Sequence, residues 1–223
     1  MNRLLWAVAG LLAVAPATAQ EALLKSDAQK SSYAIGLTTA QSIVRQGVPL
    51  EYESFVLGVR DALDGTTPRL TQEEFQAALA NATQSVQGRF KEQAQANLKA
   101  GREFLAKNKT AEGVTELSSG LQYKELRKGA GKHPQAGDTV VVHYTGTLLD
   151  GTEFDSSKRR GEPAEISLGS VIRGWQEAIP LMTVGSRWQV FIPPQLAYGA
   201  KGAGPIGPNE TLIFEIELLD IRK

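Results

Sequence analysis

The chain has 223 residues, enough for one large domain or two small ones, and its 42% hydrophobic and 22% charged residues are the balance of a soluble globular protein. Lys plus Arg and Asp plus Glu number 24 each, so no global charge draws it to nucleic acid or anionic lipid. The absence of cysteine removes disulfides, thiolate chemistry, iron–sulfur clusters and most structural zinc sites, and two histidines without ligand spacing argue against a metal enzyme.

Residues 1–19 read as a secretory leader. Arg3 precedes an apolar run, Leu4 to Ala15, too short to span a membrane, and Ala17-Thr18-Ala19 is a small-x-small cleavage pattern that puts the mature start at Gln20. A buried N-terminal helix is the alternative. No other long apolar run follows, so the expectation is an exported protein without a membrane span, in a bacterial periplasm or associated with an outer membrane. Loss of Arg3 with the leader leaves 23 basic against 24 acidic residues.

Residues 20–70 carry two helical patterns. Ala28, Tyr33, Ala34, Leu37, Ala40, Ile43 and Val44 recur at spacings of three and four, and Gly47 and Pro49 end that helix. Phe55, Val56, Val59, Ala62 and Leu63 mark a second, ended by Asp64-Gly65. Two such stripes are too short to close a core alone, so the missing surface is expected from a second copy of the chain in a two-fold dimer. The alternative is a monomer in which these helices pack against the start of the next one.

That next helix is expected over 71–107. Thr71-Gln72-Glu73-Glu74 is a capping box, and no proline follows until Pro134. At 1.5 Å per residue it runs to roughly 55 Å, and its large apolar positions (Phe75, Leu79, Val86, Phe90, Leu98, Leu105) are sparse. It is therefore expected to stand out as a stalk, at least in its second half. Residues 108–116, polar with Gly113, read as a linker.

From Leu117 the usage shifts to Gly, Pro, Val, Ile and Thr, and period-two strand patterns appear at Leu121–Leu126, Val140–Leu148, Ala164–Leu168, Ser186–Ile192 and Thr211–Leu219. Asp150-Gly151 marks a tight hairpin turn of the primed type. Trp175, Ala178, Ile179 and Met182 share a face of one short helix over Gly174–Met182. Residues 117–223 thus read as an α+β domain, an antiparallel sheet curled over one short helix, behind an all-helical N-terminal region. The hairpin gathers Tyr144, Phe154 and Asp155, VIRGW adds Val171, Ile172 and Trp175, and LAYG adds Tyr198: an aromatic bowl with a polar rim, as an apolar ligand site requires. Each of these has a plainer reading. Trp175 can be core filler, Asp155 a turn cap, and Arg160 part of the solvated run Lys158-Arg159-Arg160.

VHYTGTLLDGTEFDSS, VIRGW, LAYG and TLIFEIELL together resemble the FKBP-type peptidylprolyl cis–trans isomerases, over Leu117 to Lys223. SYAIG, QGVPLEYESF, DALDG, LTQEEF and FLAKNK are similar to the helical front of the exported macrophage infectivity potentiator-like branch of that family. The resemblance implies an enzyme without metal or cofactor, dimeric through its N-terminal helices, that binds proline-containing unfolded proteins and macrolides such as tacrolimus and rapamycin. It implies Trp175 as the floor of a proline pocket, Tyr144, Phe154, Val171, Ile172 and Phe214 as walls, and Tyr198 as rim. Asp155 would accept from Tyr144 with Arg160 holding it, the backbone N–H of Ile172 would meet a ligand carbonyl, and Ile206 would be the apolar contact of the Ala200–Pro208 loop. That loop is shorter and richer in glycine than in small cytosolic members, and Ala164 stands where the family often has an aromatic. The alternative function is a chaperone that holds nonnative chains between the arms of a dimer, with catalysis incidental.

Overall fold

A computed structural model describes residues 24–222; the expected leader, residues 1–19, lies outside them. The described residues fall into two compact units, one ending at Val86 and one beginning at Gln87.

The first unit is helical. Helix α1 (Asp27–Arg45) starts at a full capping box, with Ser26 Oγ accepting from Gln29 N–H and Gln29 Oε1 accepting from Ser26 N–H. Helix α2 (Tyr52–Asp64) ends at Gly65, whose φ of 65° is the left-handed conformation that glycine tolerates. Helix α3 (Gln72–Asn108) begins with the expected capping box, Glu74 N–H to Thr71 Oγ1 at 3.2 Å and Thr71 N–H to Glu74 Oε2 at 2.8 Å. No residue from 24 to 86 is buried. Tyr33, Leu37, Val44, Val59 and Leu63, members of the apolar stripes, are all exposed.

The second unit is α+β. Its sheet has seven antiparallel strands in the order β1-β2-β6-β7-β3-β4, with β5 also on β3. The strands are β1 (Val114–Glu116), β2 (Gln122–Arg127), β3 (Thr139–Thr147), β4 (Glu153–Ser156), β5 (Ala164–Ser167), β6 (Arg187–Ile192) and β7 (Leu212–Arg222). Helix α4 (Ser157–Arg160) follows β4, and α5 (Arg173–Ala178) crosses the concave face. Alternation decides which side chains enter the core: Val140, Val142 and Tyr144 of β3 and Leu212, Phe214, Ile216 and Leu218 of β7 are buried, while His143 and Glu217 face outward. Helix α5 lies close to the sheet because Gly174 has no Cβ; one there would collide with Ile192.

Four sequence expectations are corrected. First, the second half of α3 is not a free stalk. Ala94, Asn97, Leu98, Gly101, Phe104, Leu105 and Asn108, spaced by three and four, form a covered face. Gly101 is buried against Thr211, Phe104 packs on Phe191 with ring centroids 5.7 Å apart, and Asn108 Nδ2 donates to Gln122 Oε1 at 2.9 Å. The fully buried Gln122 donates in turn to Leu105 O and Glu116 Oε1. Second, the expected linker ends in a strand, since Val114–Glu116 pairs with Gln122–Lys124. Third, the β3–β4 connection is not a two-residue primed turn. Gly151 N–H bonds Leu148 O at 3.1 Å, and among the described residues only Gly151 (φ 87°) of that turn has a positive φ. That is a turn closed by one left-handed glycine, and the register of β3 and β4 slips by one residue beside it. Fourth, the short helix is α-helical only to Ala178; Pro180 lies in a 3₁₀ turn that carries it on to Leu181.

Candidate functional site

Strands β3, β4 and β7, helix α5 and the loops around them enclose a cleft of about 590 Å³. Tyr144 enters from β3, Phe154 and Asp155 from β4, and Phe214 from β7, where Phe214 lies across from Gly146. Gly146 is required there: a Cβ at this position would stand 2.6 Å from the Phe154 ring and 2.7 Å from that of Phe214. Trp175, only 4% exposed, lies beneath them. Its ring meets Tyr144 edge-on at 5.2 Å and Phe214 edge-on at 5.3 Å, and Phe154 meets Phe214 at 5.5 Å and 83°. These tilted contacts set the positive edge of one ring against the negative face of another and fix the cup's shape.

The polar side of the cup is one connected group. Tyr144 Oη donates to Asp155 Oδ2 at 2.5 Å, Arg160 Nη1 pairs with Asp155 Oδ1 at 2.5 Å, and Arg160 Nη2 donates to Tyr144 Oη at 2.9 Å. The Arg160 guanidinium also lies 5.6 Å from the centre of the Tyr144 ring. Burial works to raise the Asp155 carboxyl, but the Tyr144 and Arg160 hydrogen bonds and the guanidinium charge outweigh it and hold the pKa below the usual range. Burial first, then the bond to Asp155, pushes the Tyr144 phenol up. The cup therefore presents a fixed anion and a neutral phenol. Ser157, buried behind β3, accepts from Tyr144 N–H at 2.8 Å and meets His143 Nδ1 at 3.1 Å, so His143 braces the strand from its outer face.

All the expected residues except Arg160 line this one cleft: Tyr144, Phe154, Asp155, Val171, Ile172, Trp175, Tyr198, Ile206 and Phe214. Arg160 stands behind Asp155, hydrogen-bonded to it. Ala164 does not line the cleft; β5 contributes Ile166, two residues on and on the same face. Ile166, Ser170, Ala203 and Pro205 were missed. The alternation of β5 could have found Ile166, but nothing local marks the others. Tyr198 is 41% exposed at the rim.

A family model described as "FKBP-type peptidyl-prolyl cis-trans isomerase" matches residues 130–219, and another described as "Domain amino terminal to FKBP-type peptidyl-prolyl isomerase" matches residues 28–124. The Outer membrane protein MIP of Legionella longbeachae is 40% identical over 97% of this chain and 96% of its own.

The chain belongs to the FKBP-type peptidyl-prolyl cis-trans isomerases.

Among other FKBP-type relatives, FkpA of Aeromonas hydrophila is 45% identical over 93% of this chain and 81% of its own. The crystal structure of FkpA from Escherichia coli superposes with a TM-score of 0.68 at 38% identity, covering 89% of this chain and 98% of that one. The protein is thus an FKBP-type prolyl isomerase with a helical N-terminal region ahead of an antiparallel sheet. No helix among the described residues is long and apolar enough to cross a membrane.

Proposed function

We propose that the Trp175-floored cleft is where the chain isomerises Xaa-Pro bonds, with the proline ring on the indole between Tyr144, Phe154 and Phe214. One observation carries this: four aromatic rings from three strands and a helix converge on a single open cleft beside a fixed carboxylate. The barrier is loss of amide resonance, about 18–20 kcal/mol for peptide bonds. Twisting the C–N bond reduces the imide's charge separation, so a dry aromatic cup favours the twisted over the planar form. The backbone N–H of Ile172, which meets no acceptor among the described residues, and the Tyr198 hydroxyl at the rim hold the rotating carbonyl. Asp155, kept charged and in place by Arg160, orients Tyr144 in the wall. No nucleophile or proton transfer is needed. Phe154→Ala should lower kcat/KM for a proline tetrapeptide at least tenfold, about 1.4 kcal/mol, in a variant with native circular dichroism; unchanged turnover refutes the site. The same cleft accepts tacrolimus and rapamycin, so rapamycin should inhibit in that assay.

We further propose that the working form is an exported homodimer acting on unfolded and partly folded proteins. The leader pattern of residues 1–19 supports export, and N-terminal sequencing of the mature protein should begin at Gln20. The unburied apolar stripes of α1 and α2 support a second copy as their cover. Light scattering at micromolar concentration should give twice the chain mass. A monomer would reject the dimer and favour the other occupant of those faces, a nonnative client chain.

A further inference from the structure

Helix α3 and the loop that closes the cleft exchange amide hydrogen bonds. Asn97 Nδ2 donates to Pro208 O and to Glu210 Oε1, both at 2.8 Å, which uses both of its N–H bonds. Its Oδ1 accepts from Gln93 Nε2 at 2.9 Å, so the amide has one orientation. In return Asn209 Nδ2 donates to Ala94 O at 3.2 Å. Asn209 is the one non-glycine residue with positive φ among those described, at 54°, and its backbone N–H bonds Gly199 O at 2.8 Å. That bond pinches the loop at its neck. Tyr198 stands just before the neck, and Ala203, Pro205 and Ile206 lie within it and line the cleft.

Inside the neck Ile206 is buried against the core, while Ala203, Gly204 and Pro205 are exposed. Gly199, Gly202 and Gly204 all have positive φ, and one isolated bridge joins Ala203 to Ile206. A segment this rich in glycine takes its position from its anchors, because its own backbone restricts it weakly. Asn97 does not line the cleft, yet it grips the last residues of the segment that does.

We infer that Asn97 is a positioning residue for the isomerase: by gripping Pro208 and Glu210 it sets how far the Ala203–Ile206 wall stands from the Trp175 floor, and so which side chain beside the proline the cleft accepts. This rests on the site reading above.

The test uses the full chain. Asn97→Leu keeps the side-chain size and removes both donors. Asn209→Gly keeps the left-handed backbone and removes only the return bond. Isomerisation of Leu-Pro and Ala-Pro tetrapeptide anilides is followed across substrate concentration. KM for the Leu-Pro peptide should rise about three- to tenfold, the factor a net hydrogen bond supplies, with kcat within about twofold and a changed Leu-Pro to Ala-Pro preference in both variants. Phe104→Leu loosens the same helix at Phe191, away from the loop; it should lower the melting temperature and leave the preference as it was. An unchanged preference in a folded Asn97→Leu, or an equal change in Phe104→Leu, overturns the inference. If Asn97→Leu does not fold, Asn209→Gly alone decides. Phe154→Ala run alongside separates the failures: full activity there refutes the site itself, whereas loss there with a native preference in Asn97→Leu refutes only the positioning role.

Discussion

Replacing Gly101 by alanine sets two effects against each other on one helix. Alanine is better than glycine inside a helix by about 1 kcal/mol. At Gly101, however, the new methyl would run into Thr211 Oγ1 and lie 3.3 Å from Thr211 Cβ. Thr211 is fully buried and cannot swing aside, and overpacking a tight core costs about 1–3 kcal/mol. Gly101→Ala should therefore destabilise the second unit by about 0–2 kcal/mol, the overpacking cost less the propensity gain. Gly88, in the same helix, is exposed and has nothing within 4 Å of a built Cβ. Gly88→Ala should stabilise by up to about 1 kcal/mol. Urea unfolding followed by tryptophan fluorescence measures both, because the tryptophans among the described residues, Trp175 and Trp188, both sit in the second unit. If Gly101→Ala stabilises as Gly88→Ala does, the covered face of α3 is not packed in solution.

Gly146→Ala should force the Phe154 and Phe214 rings apart, since its methyl would stand 2.6–2.7 Å from both. Expected is a loss of at least about tenfold in kcat/KM with the sheet intact by circular dichroism; full turnover would show that the two rings need not keep this spacing. Glu210 gives a pH signature. Burial, then the charge of Asp150, raises its carboxyl pKa, and the bond from Asn97 offsets only part. The folded state thus holds this proton more tightly than the unfolded chain, whose value is about 4.3, and stability falls as pH rises through the raised folded value. Glu210→Gln keeps the acceptor for Asn97 without the ionisation. Its melting temperature should exceed that of the parent at neutral pH and the gap should close below about pH 4; a gap independent of pH refutes the account.

The aromatic cup was legible because its residues sit in strands of clean alternation, where period alone places Val140, Val142 and Tyr144 on one face and His143 on the other. The docking of α3 was not. Its covered face is made of Ala94, Asn97, Gly101 and Asn108 as much as of Leu98, Phe104 and Leu105, and small or amide side chains do not register in a search for large apolar ones. Gly101 is the place where Thr211 comes close to the helix. Ala203 and Pro205 were missed for another reason: a loop carries no period, and what aims it at the cleft is a set of long-range bonds from Asn97 and Asn209. At Ala164 the methyl group does not reach the cleft, and Ile166 from the same strand does.

The contact between α3 and the sheet bears on any attempt to work with a shortened protein. A fragment begun at Asn108, where the polar stretch starts, would strip Gln122 of its bond to Leu105, leave Phe191 and Thr211 facing solvent, and remove the Asn97 and Ala94 partners of Pro208, Asn209 and Glu210. A clone meant to preserve catalysis has to start upstream of Ala94, inside an unbroken helix, at a point that neither a turn nor a linker advertises.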